Sequence, residues 1–273
     1  MSVPGCAVPL VLAPIAPTLS EVIQLAGLTS NLQLCLDVGD PASYASGQTW
    51  ADRSGNAYNF YLGADGSATA SDPTYAAVAD RQSYFSFDGG DYFTLAQANP
   101  TWINNMHKNN AAWTWLMLYR HPASGNIRPF GTDASSSSSI GCDVAMSGNL
   151  NLEVNNGGAG AAVLDVTSDS LSNYLDRWNV VACSLNEAAG AAGSFFYHNG
   201  NYAQVGGSNT FDGTYSSPSA SSATYAMNLM ALGNAVNPTA SDTRISCVAF
   251  WSAALSKANI DSIWTLLRTR FGI

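Results

Sequence analysis

Charge is scarce in this chain: charged residues make up 11% of its 273 positions, and none falls in the first twenty, MSVPGCAVPLVLAPIAPTLS. The first charge is Glu21, and no Lys or Arg precedes Arg53. Ten basic against nineteen acidic residues leave a formal charge of −9. Phosphate contacts need Lys and Arg, so nucleic acid and anionic membrane are excluded as partners. Glutamate is nearly absent, with only Glu21, Glu153 and Glu187. The remaining acids are aspartates, mostly beside Gly, Ser or Asn, where the short side chain serves turn amides. The three histidines, His107, His121 and His198, lack the H-x-H or H-E-x-x-H spacing of a zinc site. No serine sits in a G-x-S-x-G context, and no Gly-rich loop carries the Lys of a phosphate cradle. Five cysteines, odd in number and without a C-x-x-C pair, make neither a disulfide framework nor a zinc finger. Cys35, Cys183 and Cys247 lie in apolar strand-like runs and read as small buried hydrophobes. That favours a reducing compartment during assembly and leaves a single disulfide open.

The uncharged opening is also poor as a signal peptide, because it has no basic n-region and Pro4, Pro9, Pro14 and Pro17 interrupt its apolar run. Those prolines cost on the order of 3 kcal/mol each inside a helix, which argues against a membrane span and for an extended course. Residues 1–30 therefore read as an apolar arm. Val3, Pro4, Val8, Pro9, Leu10, Val11, Leu12, Pro14, Ile15 and Pro17 are the residues expected to dock on another protein chain. An arm folded back on its own domain is the alternative. A short helix over Leu19–Ala26 follows, with Thr18 and Glu21 at capping-box spacing and Gly27 as the stop.

What is plentiful is period-two alternation with turn residues between: the chain has 24 Gly, 11 Pro and 11% aromatics. LQLCLD (32–37), YNFYL (58–62), YFSFDG (84–89) and YFTL (92–95) each predict a strand. WTWLMLYR (113–120) is apolar on both faces, as a strand between two layers must be. Further strands are expected at 126–131, 141–146, 150–155, 162–167, 178–185, 193–198, 201–205, 228–233 and 243–251. Asn199-Gly200 between two of them is a type I′ hairpin signal. The exception is LSKANIDSIWTLLRTRFGI, which predicts one amphipathic helix over 257–271 with Ser256 as N-cap and Gly272 as the C′ residue. Its apolar face places Trp264 and Leu267 in the core, and Arg268 and Arg270 suit the negative end of the dipole. Residues 31–273 show no linker-like shift, so they form one all-β domain, a sandwich or barrel of short strands, closed by that helix.

The ordered set WADRSGNAYNFYL, FSFDGGDYFTL, WTWLMLYR, RWNVVACSLN, FFYHNGNY and ISCVAFWSAALSKANIDSIW resembles the concanavalin A-like laminin-G jelly-roll superfamily across residues 30–271. That resemblance implies the jelly-roll sandwich and a sheet face able to hold a sugar chain, and it implies no particular activity. The arm, together with LCLDVGDPASYASGQTWADRSGN, is similar to accessory virion proteins of tailed bacteriophages. By that second resemblance the partners are other virion proteins, the copies are many on a symmetric particle, and assembly takes place in the host cytoplasm.

Jelly-roll glycosidases place carboxylates at alternate strand positions, about 5–5.5 Å apart for retention. Glu153 and Glu187 have no carboxylate two or four positions away, and Asp165 with Asp169 reads as a strand end and turn. No catalytic residue is expected. For a metal, Asp52, Asn56, Asp88 and Asp91 are the candidate calcium ligands that the resemblance offers, while Asx turns explain the same residues better. The expectation is a non-enzymatic virion component that displays a lectin-like domain to host glycans. A free-standing carbohydrate-binding lectin comes next, and a glycoside hydrolase after it.

Overall fold

The computed structural model describes residues 15–134, 138–158, 164–170, 174–203 and 215–273. The N-terminal third runs α1 (Leu19–Leu25), β1 (Leu32–Asp37), β2 (Thr49–Trp50), β3 (Phe60–Leu62), β4 (Thr74–Ala76), β5 (Tyr84–Ser86) and β6 (Phe93–Leu95). The middle holds α2 (Thr101–Asn105), β7 (Ala112–Arg120), β8 (Ile127–Gly131), β9 (Ile140–Met146), β10 (Asn149–Asn156) and β11 (Leu164–Ser170). Then come β12 (Trp178–Asn186), a 3₁₀ segment at Glu187–Gly193, β13 (Phe195–His198), β14 (Asn201–Ala203), β15 (Asn228–Leu229), β16 (Arg244–Trp251) and α3 (Lys257–Phe271).

Among the described residues two eight-stranded sheets form. The first runs β14-β13-β12-β7-β16-β5-β4, with β1 also paired to β16, and the second runs β11-β10-β9-β8-β15-β6-β3-β2. They pack as an antiparallel sandwich. The alternation along β7 shows how: Trp113, Trp115, Met117 and Tyr119 enter the inter-sheet core, where they meet Phe130, Val144 and Leu152. Leu116 and Leu118 point the other way, into a second core with Leu19, Val22, Ile23, Ile260, Ile263 and Leu267. So the first sheet is covered on both faces, by the second sheet and by the pair α1 and α3, as the doubly apolar WTWLMLYR requires.

The helix ends follow the sequence closely. Thr18 and Glu21 form a full capping box at the start of α1, and Gly27 takes φ +70° just past its end. Ser256 and Asn259 form another at α3, which ends on Gly272 in the left-handed region. Asn199 and Gly200 both have positive φ, completing the hairpin between β13 and β14.

Several details differ from expectation. The segment 228–233 is a strand only at Asn228–Leu229, because the backbone then folds back to bond Asn228 Nδ2 through Leu232 O. Asp165 and Asp169 lie within β11 instead of at its end. Trp264 is only half-buried, leaning on the Gly200 turn at the rim of α3, whereas Leu267 is fully buried. The short α2 carries no strand-like or long helical pattern. Its signal was Trp102, Ile103 and Met106 at i, i+1 and i+4, all of them buried.

Arg270 departs most from its expected role as a dipole complement. Its guanidinium is fully buried and grips both oxygens of Asp37 at the end of β1, at 2.8 and 2.7 Å. It also donates to the Arg81 carbonyl. Asp37 in turn accepts the Leu19 and Gly39 amides at 2.7 and 2.9 Å. One ion pair thus pins the start of α1, the end of α3 and the end of β1. Gly39 is obligatory here, because a Cβ would lie 1.9 Å from Arg270 Nη2.

Candidate functional site: a polar cleft at one end of the sandwich

The residues between β6 and β7 build a wall of a cleft of about 710 Å³. Pro100 starts α2, which drives Trp102 and Ile103 into the core and leaves Thr101 and Asn105 exposed. The chain then turns at Lys108–Asn110, with Asn110 in the left-handed region, and enters β7. The Met106 carbonyl anchors this turn from below by accepting Trp113 Nε1 and the Tyr215 hydroxyl, at 3.1 and 2.7 Å. Glu187 anchors it from behind: its two oxygens accept the Asn110 and Tyr215 amides at 2.7 and 3.2 Å. The opposite wall is Gln33 at the start of β1, Ser252 just after β16, and Tyr58. Gln33 and Ser252 are joined side chain to side chain at 2.9 Å.

Tyr58 reaches the cleft because Asp52 shapes its loop. The Asp52 carboxylate accepts the Cys35, Ser54 and Tyr58 amides and the Ser54 hydroxyl, at 2.9, 2.8, 3.1 and 2.6 Å. Asn56 Nδ2 donates to the Leu32 and Gln33 carbonyls. The Tyr58 ring then stands 6.2 Å from that of Trp102, giving the cleft an aromatic wall. Chemically, the lining offers planar amides (Gln33, Asn105, Asn109, Asn110), one ammonium (Lys108) and aromatic faces. That is an inventory for hydroxyl-rich rings, which need fork-like donors and acceptors at their edges and apolar faces to stack on.

The other candidate calcium pair sits in a separate turn. Asp91 accepts the Asp88 amide at 2.8 Å, and Asp88 accepts the Gly90 amide at 2.8 Å. Asp91 is buried, and burial lifts its carboxyl to about 6. Among the described residues no group of three His, Cys, Asp or Glu side chains is placed to hold a metal ion. Of the expected docking residues, Val3, Pro4, Val8, Pro9, Leu10, Val11, Leu12 and Pro14 lie outside the described residues. Ile15 is exposed, and Pro17 lines a groove with Leu25 and Arg81 beside α1.

Strand pairing creates one carboxylate arrangement that spacing along the chain concealed. Glu153 on β10 stands opposite Asp143 on β9 and Asp165 on β11 in the sheet register. Asn155 Nδ2 bridges Asp133 and Glu153 at 2.8 Å each, and Arg128 holds Asp143 at 2.9 Å. Burial, aided by Asp133 and opposed by Arg128, pushes the Asp143 carboxyl well above the usual range. Yet Asp133 and Asp143 have no exposed surface, and the Leu232–Gly233 backbone lies over Gly131, the cross-strand partner of Asp143. A glycosidase acid must touch the glycosidic oxygen. Asp133 and Asp143 are thus closed to substrate and hold strands together, whereas Glu153 is partly exposed.

No family model matches the chain, and no curated protein matches it in sequence. Solved structures do match in shape. The binding domain of botulinum neurotoxin DC in complex with SialylT superposes with a TM-score of 0.60 at 12% identity, over 88% of this chain and 52% of that one. The fold is a two-sheet β-sandwich. The receptor-binding domain of botulinum neurotoxin type G gives 0.55 at 11% identity, over 87% of this chain and 52% of that one. Trypanosoma rangeli sialidase in complex with sialic acid gives 0.54 at 12%, over 88% and 34%. The sandwich therefore spans about half the length of the toxin domains and a third of the sialidase, and likeness at such identity is a likeness of fold.

Proposed function

We propose that this protein is a non-enzymatic adhesion component of a tailed-phage virion. In this reading the polar cleft binds host-surface glycan, and the arm at residues 1–17 fastens the domain to other virion proteins in the tail, baseplate or capsid. The observation that carries it is the placement of these two features at opposite ends of β1. Gln33 lines the cleft, whereas Asp37 holds the first amide of α1, the helix that follows residues 1–17 in the chain. At about 3.4 Å per residue the two points are roughly 14 Å apart along the strand. A domain held by its arm thus presents the cleft away from its seat. Exposed Leu25 and Val78 line two grooves that exposed Ile15 also lines, and the three supply apolar area for a docking partner. Glycan recognition is further supported by the neighbours of the same fold, a toxin binding domain in complex with SialylT and a sialidase in complex with sialic acid.

Deleting residues 2–17 tests the two halves separately. The truncated chain is expected to melt like the full chain and keep its glycan binding on an array, but to be missing from purified particles. Truncated chain found on particles overturns the anchoring role. Glycan binding by a full-length chain never found on particles makes it a free lectin. Incubation with β-glucans and host polysaccharides should leave them intact; cleavage abolished by Glu153→Gln would establish the hydrolase instead.

A further inference from the structure

We infer that the cleft selects sugars bearing a carboxylate, one charge at a time, with Lys108 as the counter-ion. This rests on the glycan reading above and adds the charge class of the ligand.

The argument starts from how the chain spends its few cations. Ten Lys and Arg face nineteen acids. Five arginines are taken up in ion pairs: Arg53 with Asp40, Arg81 with Glu21, Arg120 with Asp176, Arg128 with Asp143 and Arg270 with Asp37. Lys108 makes no ion pair among the described residues, although it is half-buried in an acidic protein. Among the described residues no Asp or Glu lines its cleft. Glu187, behind the turn, already has both oxygens on the Asn110 and Tyr215 amides. An ammonium in a cleft without a carboxylate gains from an anion brought into the same recess.

The rest of the lining restricts what that anion is. A lone Lys is a point charge, without the arginine fork or amide nest that gathers the several oxygens of a phosphate. The formal charge of −9 repels dense polyanions such as heavily sulfated chains. Exposed amides of Asn105, Asn109 and Asn110 suit hydroxyls, and the Tyr58–Trp102 wall suits the apolar face of a ring. A sugar with one carboxylate per residue, such as a sialic or uronic acid, satisfies all three.

Calorimetry or surface plasmon resonance with the full chain decides the matter. The probes are a sialic-acid-terminated trisaccharide, its methyl ester, a glucuronic-acid-terminated trisaccharide and lactose. At least one acidic probe should bind tenfold or more tightly than the ester or lactose, and its affinity should fall as salt rises from 50 to 500 mM. Lys108→Met should remove that preference while Lys108→Arg keeps a large share of it, with both variants melting like wild type. Equal binding of acidic and neutral probes, or an acid preference that survives Lys108→Met, overturns the inference and leaves the glycan reading standing. If neither these probes nor an array of neutral glycans binds, the glycan reading and the inference fall together.

Discussion

Replacing Arg270 by Met removes one side of the ion pair that joins both helices to β1, and the structure sets the size of the effect. Asp37 would keep two donors, the Leu19 and Gly39 amides, but lose both guanidinium contacts with its carboxylate still fully buried. Stripping one partner from a buried pair costs about 3–5 kcal/mol, because the other charge stays uncompensated. For a domain of this size each kcal/mol moves Tm by about 2–4 °C, so the midpoint should drop by about 6–20 °C. A second variant reaches the same contact without touching either charge. Gly39→Ala puts a methyl 1.9 Å from Arg270 Nη2 and 2.1 Å from the Arg81 carbonyl, and should destabilise comparably. The double change Asp37→Leu with Arg270→Met should recover only part of the loss. It removes both charges but orphans the Leu19 and Gly39 amides, at about 1–3 kcal/mol for each buried donor. Scanning calorimetry at pH 7 is the assay. An Arg270→Met protein melting within about 2 °C of wild type would refute the claim that this pair holds the helices down.

Leu267→Ala should cost about 2–5 kcal/mol by chemical denaturation, and Trp264→Ala markedly less despite its larger side chain, because it is half exposed. Stability should peak near pH 6–7. His107, His121 and His198 are held neutral by burial, His198 down to about 3, so their contribution is complete above about pH 6.5 and is lost as pH falls below it. Asp143 acts in the opposite sense: it keeps a proton that the unfolded chain gives up above about pH 4, so stability declines as pH rises toward its raised folded value. Tm measured from pH 5 to 9 tests this, and a steady climb across that range, or an alkaline fall unchanged in Asp143→Asn, would contradict it. Calorimetric titration with calcium after chelation should give no saturable heat, since Asp52 already receives four donors; heat that disappears in Asp52→Ala or Asp91→Ala would reverse the turn assignment.

Local rules carried the sequence a long way. The capping box at Thr18, the N-cap at Ser256, positive φ at Asn199-Gly200 and the two-sided apolar run of β7 depend on neighbours in the chain, and each was legible there. The candidate site was less so. Lys108, Asn105 and Asn109 look like ordinary loop residues until Gln33, Tyr58 and Ser252 are brought against them. Asp143, Glu153 and Asp165 become neighbours only through strand register, which no spacing along one strand reveals. Asp52 was legible as a turn former, but its placing of Tyr58 in the cleft wall was not. Arg270 shows the same limit, since its partner Asp37 lies 233 positions away.

That separation has a kinetic consequence. The strand β16 is the hub of the first sheet, pairing with β7, β1 and β5, and it ends at Trp251. Until it has left the ribosome, β1 has no partner strand and the apolar face of α1 nothing complete to rest on. Leu19, Val22 and Ile23, with the Leu116 and Leu118 face of β7, stay incompletely covered until α3 brings Ile260, Ile263 and Leu267 against them. Contacts this distant in sequence make folding slow and the nascent chain prone to aggregation. The helix layer over the first sheet is fastened only when Arg270 reaches Asp37, 233 positions earlier in the chain.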